Sequence, residues 1–177
     1  MITRTALLAL LLAFPSALAL AQHRHAPAAS PSAGLEGRMV KALSDQQVAD
    51  LRAGRGMGYA LAAELNGYPG PSHVLELGAQ LGLTGSQRSR MQALFEAMKA
   101  ETIPLGERLI AQEADLDRQF SGRTVTTASL AAATAAIGAT QAALRAAHLR
   151  YHLATAEVLT PEQVRRYDEL RGYSRGE

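Results

Sequence analysis

Cysteine and tryptophan are both absent from this 177-residue chain, and aromatic residues make up only 5% of it. Without cysteine there is no disulfide framework, no zinc-thiolate finger, no thiol nucleophile and no Cys-x-x-Cys redox pair, so any metal ion must be held by His, Met or carboxylate. An excess of one charge is missing as well. Lys plus Arg number 18 against 16 Asp plus Glu, and the two signs are interspersed rather than clustered. This argues against a nucleic-acid groove, and no nucleic-acid partner is expected. Length and a 47% apolar content suit one modest domain.

The first residues set the expected compartment. Arg4 precedes the apolar run Ala6 to Phe14, and small residues follow to Ala19-Leu20-Ala21. Pro15 and Ser16 break the run short of the ~20 residues a membrane-spanning helix needs. Residues 1–21 read as a signal peptide cleaved before Gln22. An exported small domain without disulfides points to a bacterial periplasm. Residues 22–42 read as a disordered leader; its first part, up to residue 37, is rich in Ala, Pro, Ser and Gly, and His23 and His25 read as solvated tail histidines.

What the chain does contain is one helix-start device written three times, as Leu43-Ser44-Asp45-Gln46-Gln47, Leu83-Thr84-Gly85-Ser86-Gln87 and Leu159-Thr160-Pro161-Glu162-Gln163. A hydroxyl at the N-cap accepts from the third backbone amide of the helix, and a Gln at that third position reaches back to the N-cap amide. Pro161 and Glu162 strengthen the third copy, because proline needs no donor at the first helical position and a carboxylate suits the positive helix end. Leu43 with Val48, and Leu159 with Val164, occupy the positions of a hydrophobic staple.

Beyond Thr84 the apolar residues Met91, Leu94, Phe95, Met98, Leu105, Leu109, Ile110, Leu116 and Phe120 recur with a helical period, so one long helix is expected over 84–120, running through Pro104. A second, over about 125–158, carries Leu130, Ile137, Leu144, Tyr151 and Val158 at spacings of seven, and 11 of residues 128–147 are Ala, which suggests close packing on a partner helix. A weaker helix over about 44–66 contains Gly54, Gly56 and Gly58, and the domain as a whole spans 43–173, with a tail at 174–177. The expected fold is all-α, a four-helix hooked antiparallel hairpin with short helices at either end. Its apolar seam is too long for one chain to cover, so a homodimer is expected. Arg55-Gly56-Met57-Gly58 has no preceding strand and no following Gly-Lys-Ser/Thr, which excludes a phosphate loop. With no serine elbow and no carboxylate pair in a cleft, no enzyme is expected.

The two Leu-Thr-x-x-Gln boxes, carried by Leu83, Thr84 and Gln87 and by Leu159, Thr160 and Gln163, stand on a short, helical, cysteine-free, exported chain that resembles the LTXXQ-motif Spy/CpxP family over roughly residues 43–173. Metal-sensing CnrX and ZraP proteins are relatives of that family. The resemblance implies a hooked helical hairpin that pairs as a dimer, needs no cofactor, and binds unfolded or misfolded periplasmic proteins without ATP or takes part in envelope-stress and metal-resistance responses, with a membrane sensor as a further partner. For the chaperone reading, exposed apolar helix surface would act with dispersed Arg88, Arg90, Arg108, Arg118, Arg145 and Arg150. The rival reading is metal binding. His148 and His152 are four apart, stacked on one helix face at a spacing that can hold one Zn(II), Ni(II) or Cu(II) ion, with His73 and Glu76 as further ligands from the preceding turn. Such binding should weaken as pH falls through the ordinary imidazole value of about 6.5. Met57, Met91 and Met98 read as core filler.

Overall fold

A computed structural model describes residues 30–173; the expected signal peptide, His23, His25 and the tail at 174–177 lie outside the described residues. Every regular element among the described residues is helical. After a single 3-10 turn at Leu35–Gly37 come α1 (Asp45–Arg52), α2 (Leu61–Glu64), α3 (Pro71–Glu76), α4 (Gly85–Ser121), α5 (Thr127–Ala156) and α6 (Pro161–Arg171). The antiparallel hairpin of α4 and α5 is the frame, with α1 and α3 packed on α4, and α2 and α3 on α5. Fold class and hairpin are as expected, but the described residues hold six α-helices rather than four.

The difference lies in the stretch expected as one helix over 44–66. Gly54 (φ 66°), Met57 (φ 45°) and Gly58 (φ 83°) all adopt left-handed backbone, which ends α1 and delays α2. Packing also leaves no room for a side chain at position 54: a Cβ on Gly54 would stand 2.8 Å from Thr102 Oγ1 of α4. Met57, expected in the core, is exposed, whereas Met91 and Met98 are buried. The packed unit also begins before Leu43, since Val40 is buried beside Leu43, Val48, Leu51 and Leu109, and Lys41 pairs with Asp117 at 2.8 Å.

All three expected capping boxes form, on Ser44, Thr84 and Thr160, and each hydroxyl and each Gln makes its reciprocal bond. A fourth, Thr126 with Ser129, starts α5. The second and third boxes interlock. Gln87 Nε2 donates to Gln163 Oε1 at 2.8 Å and Gln163 Nε2 donates to Gln87 Oε1 at 3.1 Å. The same two amides reach the carbonyls of Val158 and Leu81, at 3.0 and 3.2 Å. Each glutamine therefore caps its own helix and clasps the start of the other's, which fixes α6 against the beginning of α4.

α4 runs without interruption through Pro104. Gly106, two residues on, lies under the end of α1, where an added Cβ would meet Leu51 O at 2.5 Å. Gly106→Ala is therefore expected to lower stability by about 1–3 kcal/mol, since backbone cannot yield as a flexible side chain can; an unchanged urea midpoint would refute this contact. The Ala-rich stretch of α5 behaves differently from expectation. Of its alanines only Ala147 is buried, and most of the others face solvent, so they act through helix propensity rather than as a close-packed seam.

Candidate metal centre

Of the polar side chains buried on α5, His148, His152 and Thr155 lie toward its C-terminal end, where α2 and α3 pack on the hairpin. His148 is 2% exposed and stacks on Tyr59, with ring centroids 5.9 Å apart and 12° between planes. No hydrogen bond satisfies its ring nitrogens among the described residues, and the ring faces a cleft of about 430 Å³. Burial, helped by neighbouring His152, brings its pKa down to about 4 from 6.5. His148 is thus neutral over the range where an ordinary histidine gains its proton.

His152, one turn along, holds Nδ1 at 2.6 Å from the carbonyl oxygen of Tyr68. A carbonyl only accepts, so Nδ1 carries the hydrogen and Nε2 keeps a lone pair. That nitrogen faces Gly70, where a Cβ would approach it to 2.8 Å. Any side chain at position 70 would therefore collide with the His152 ring. His73 of α3 and Glu76, exposed one turn later, line the same cleft with Met98 of α4. The structure brings all four sequence-selected residues, His148, His152, His73 and Glu76, to one cavity. Among the described residues, however, no three His, Asp or Glu side chains stand arranged to hold a metal ion.

Sequence reasoning missed Glu64. This carboxylate at the end of α2 is 6% exposed and lies between the histidines and the C-terminal helix. Its Oε1 accepts hydrogen bonds from the Tyr167 hydroxyl and, at 3.1 Å, from the Tyr173 hydroxyl. Arg171 Nε stands 3.7 Å from the same oxygen. On the other side His73 Nδ1 is 3.5 Å from Oε1 and His152 Nδ1 is 3.7 Å from Oε2. Burial by itself raises a carboxyl pKa, but the hydrogen bonds from His73 and Tyr167 outweigh it and bring Glu64 down to about 2 from 4.5. Burial and the adjacent Glu64 charge push the Tyr167 phenol upward. No sequence signal marks Glu64, because its partners are 9 to 109 positions away and only the fold gathers them.

The donor types around the cleft, imidazole nitrogen, carboxylate oxygen and thioether sulfur, fit borderline transition-metal ions rather than calcium or magnesium. The description of the heavy-metal resistance family matches residues 57–166. That span contains Glu64, His73, Glu76, both cleft histidines of α5 and both Leu-Thr-x-x-Gln boxes. The chain belongs to the heavy-metal resistance family, which is related to the helical periplasmic proteins of the Spy, CpxP and CnrX type. No curated protein and no solved structure matches it.

Proposed function

We propose that this protein binds a divalent transition-metal ion, Zn(II), Ni(II) or Cu(II), in the cleft between α3, α4 and α5 as part of heavy-metal resistance. The observation that carries the reading is His148: a buried neutral imidazole, without a hydrogen-bond partner among the described residues, facing a cleft that His152 also lines. A ring nitrogen that opens on a cleft and is bonded to no protein acceptor is available to a ligand there. His73, whose side chain is 38% exposed, would complete the coordination, and Glu76 and Met98 line the same cleft. The role is binding or sensing rather than catalysis. Export by residues 1–21 would place it in the periplasm, in reach of a membrane sensor. Calorimetric titration with each ion is expected to give one site of micromolar affinity that disappears when His148→Ala and His152→Ala are combined; equal heats from both proteins would end the metal reading.

The chaperone reading keeps one specific support. Leu61, Leu65, Tyr68 and Leu153 are all 41% exposed or more, and Tyr68 and Leu153 border one shallow apolar groove between α2 and α5. A non-native client or a second copy of the chain would bury such surface. Delay of client aggregation by stoichiometric protein without ATP, lost in Leu61→Ser with Leu153→Ser, is the expected result for a holdase; no delay by the unmodified protein removes this role.

A further inference from the structure

We infer that Glu64 is the positioning residue of the histidine cleft, orienting His73 and His152 for a divalent cation, and that the C-terminal helix α6 sets the cleft's affinity by clamping Glu64. This rests on the metal reading above and extends it to a residue and a helix outside the cleft's ligands.

The geometry is that of an outer shell. Both imidazoles present Nδ1 toward the Glu64 carboxylate, at 3.5 and 3.7 Å. Tyr167 gives its single hydroxyl hydrogen to Glu64, so its oxygen, 3.4 Å from His73 Nδ1, can only accept there. Nδ1–H is therefore fixed on His73 as the Tyr68 carbonyl fixes it on His152, and the metal-binding lone pair of each ring is placed on Nε2. A carboxylate behind the Nδ1 edge of a ligating histidine holds ring orientation and raises ligand basicity. It also supplies a full negative charge near a dication in a low-dielectric setting.

A merely structural role leaves part of this arrangement unexplained. Oε1 takes the bonds from Tyr167 and Tyr173, whereas the buried Oε2, on the His152 side, has no hydrogen-bond partner. A carboxylate serving only to tie helices together would be expected to satisfy both oxygens. The clamp comes from one element. Tyr167 and Arg171 lie on α6, and left-handed Gly172 (φ 72°) turns the chain back so that Tyr173 reaches Glu64. Metal occupancy and the seating of α6 are thereby coupled through a single carboxylate, and by reciprocity each strengthens the other.

Zinc titration and Co(II) absorption on the purified full chain, its Glu64→Gln and Tyr167→Phe variants and a His152→Ala control test this. Glu64→Gln is expected to weaken zinc binding at least tenfold and to shift the visible Co(II) bands, and Tyr167→Phe to do the same to a smaller extent. Zinc should also slow amide exchange in α6 of the unmodified protein and fail to do so in Glu64→Gln. Wild-type affinity and an unchanged Co(II) spectrum in Glu64→Gln, with binding lost in His152→Ala, would overturn this inference and leave the metal site standing. Absence of zinc binding by the unmodified protein would sink both. If circular dichroism shows Glu64→Gln unfolded, Tyr167→Phe, which leaves the carboxylate in place, decides by the same spectrum and exchange pattern.

Discussion

Acidification from pH 7 to about 4 is expected to destabilise the protein by roughly 3 kcal/mol through His148 alone, with a further loss of the same order below pH 4.5 through Glu64. The two groups act with one sign. His148 has its pKa brought down to about 4 from 6.5, so between those values the unfolded chain binds a proton that the folded chain refuses, and stability falls as pH falls. Glu64 is brought down to about 2 from 4.5, so its contribution is complete above 4.5 and is lost as pH drops toward 2. Urea midpoints followed by circular dichroism across pH 3–8 measure both windows. His148→Phe, which keeps a ring against Tyr59, should flatten the curve between pH 6.5 and 4 and leave the lower limb. A slope unaltered by that substitution would show that His148 does not carry it.

Gln163→Ala is expected to cost about 2–4 kcal/mol, more than the loss of an ordinary helix cap. Capping alone is worth about 1 kcal/mol. The remainder comes from the clasp, because removal of this amide also strips partners from the Leu81 carbonyl and from the Gln87 side chain in a half-buried setting. Gln87→Ala should be nearly as damaging, and the double variant should cost less than the sum of the two, since each single change already breaks the shared bonds. Gln47→Ala provides the comparison: its box on α1 has no such clasp, so its loss should stay near 1 kcal/mol. Equal effects at positions 47 and 163, or strict additivity of 87 with 163, would reduce the interlock to two independent caps.

Much of the fold was legible before any coordinates. The Leu-Ser/Thr-x-x-Gln repeats mark three helix starts because capping chemistry is local, complete within four residues, and all three form. The period of Met91 to Phe120 and the resumption of the stripe after Pro104 sufficed for the long helix, since a single missing donor costs less than the packing on both sides of it. The start of α5 was harder to read. Thr126 is capped against Ser129 rather than a Gln, so the device was there in a form the repeat did not advertise.

The candidate site was legible in part, and the division follows interaction range. His148 and His152 announce themselves by four-residue spacing, and His73 with Glu76 by three, because neighbours on one helix face are set by the helical turn. That these four share one cavity depends on how α3 packs against the hairpin. The sequence by itself determined the helical class, the capped starts and the histidine pair, all properties of contacts within one or two turns. Only the tertiary structure decided that position 54 must lack a side chain to clear Thr102, that Gln87 and Gln163 clasp each other across 76 positions, and that Glu64 sits between two histidines and two tyrosines. Those outcomes depend on which surfaces meet when the helices pack, and a side chain's partner across such an interface is set by shape and burial that no local spacing encodes.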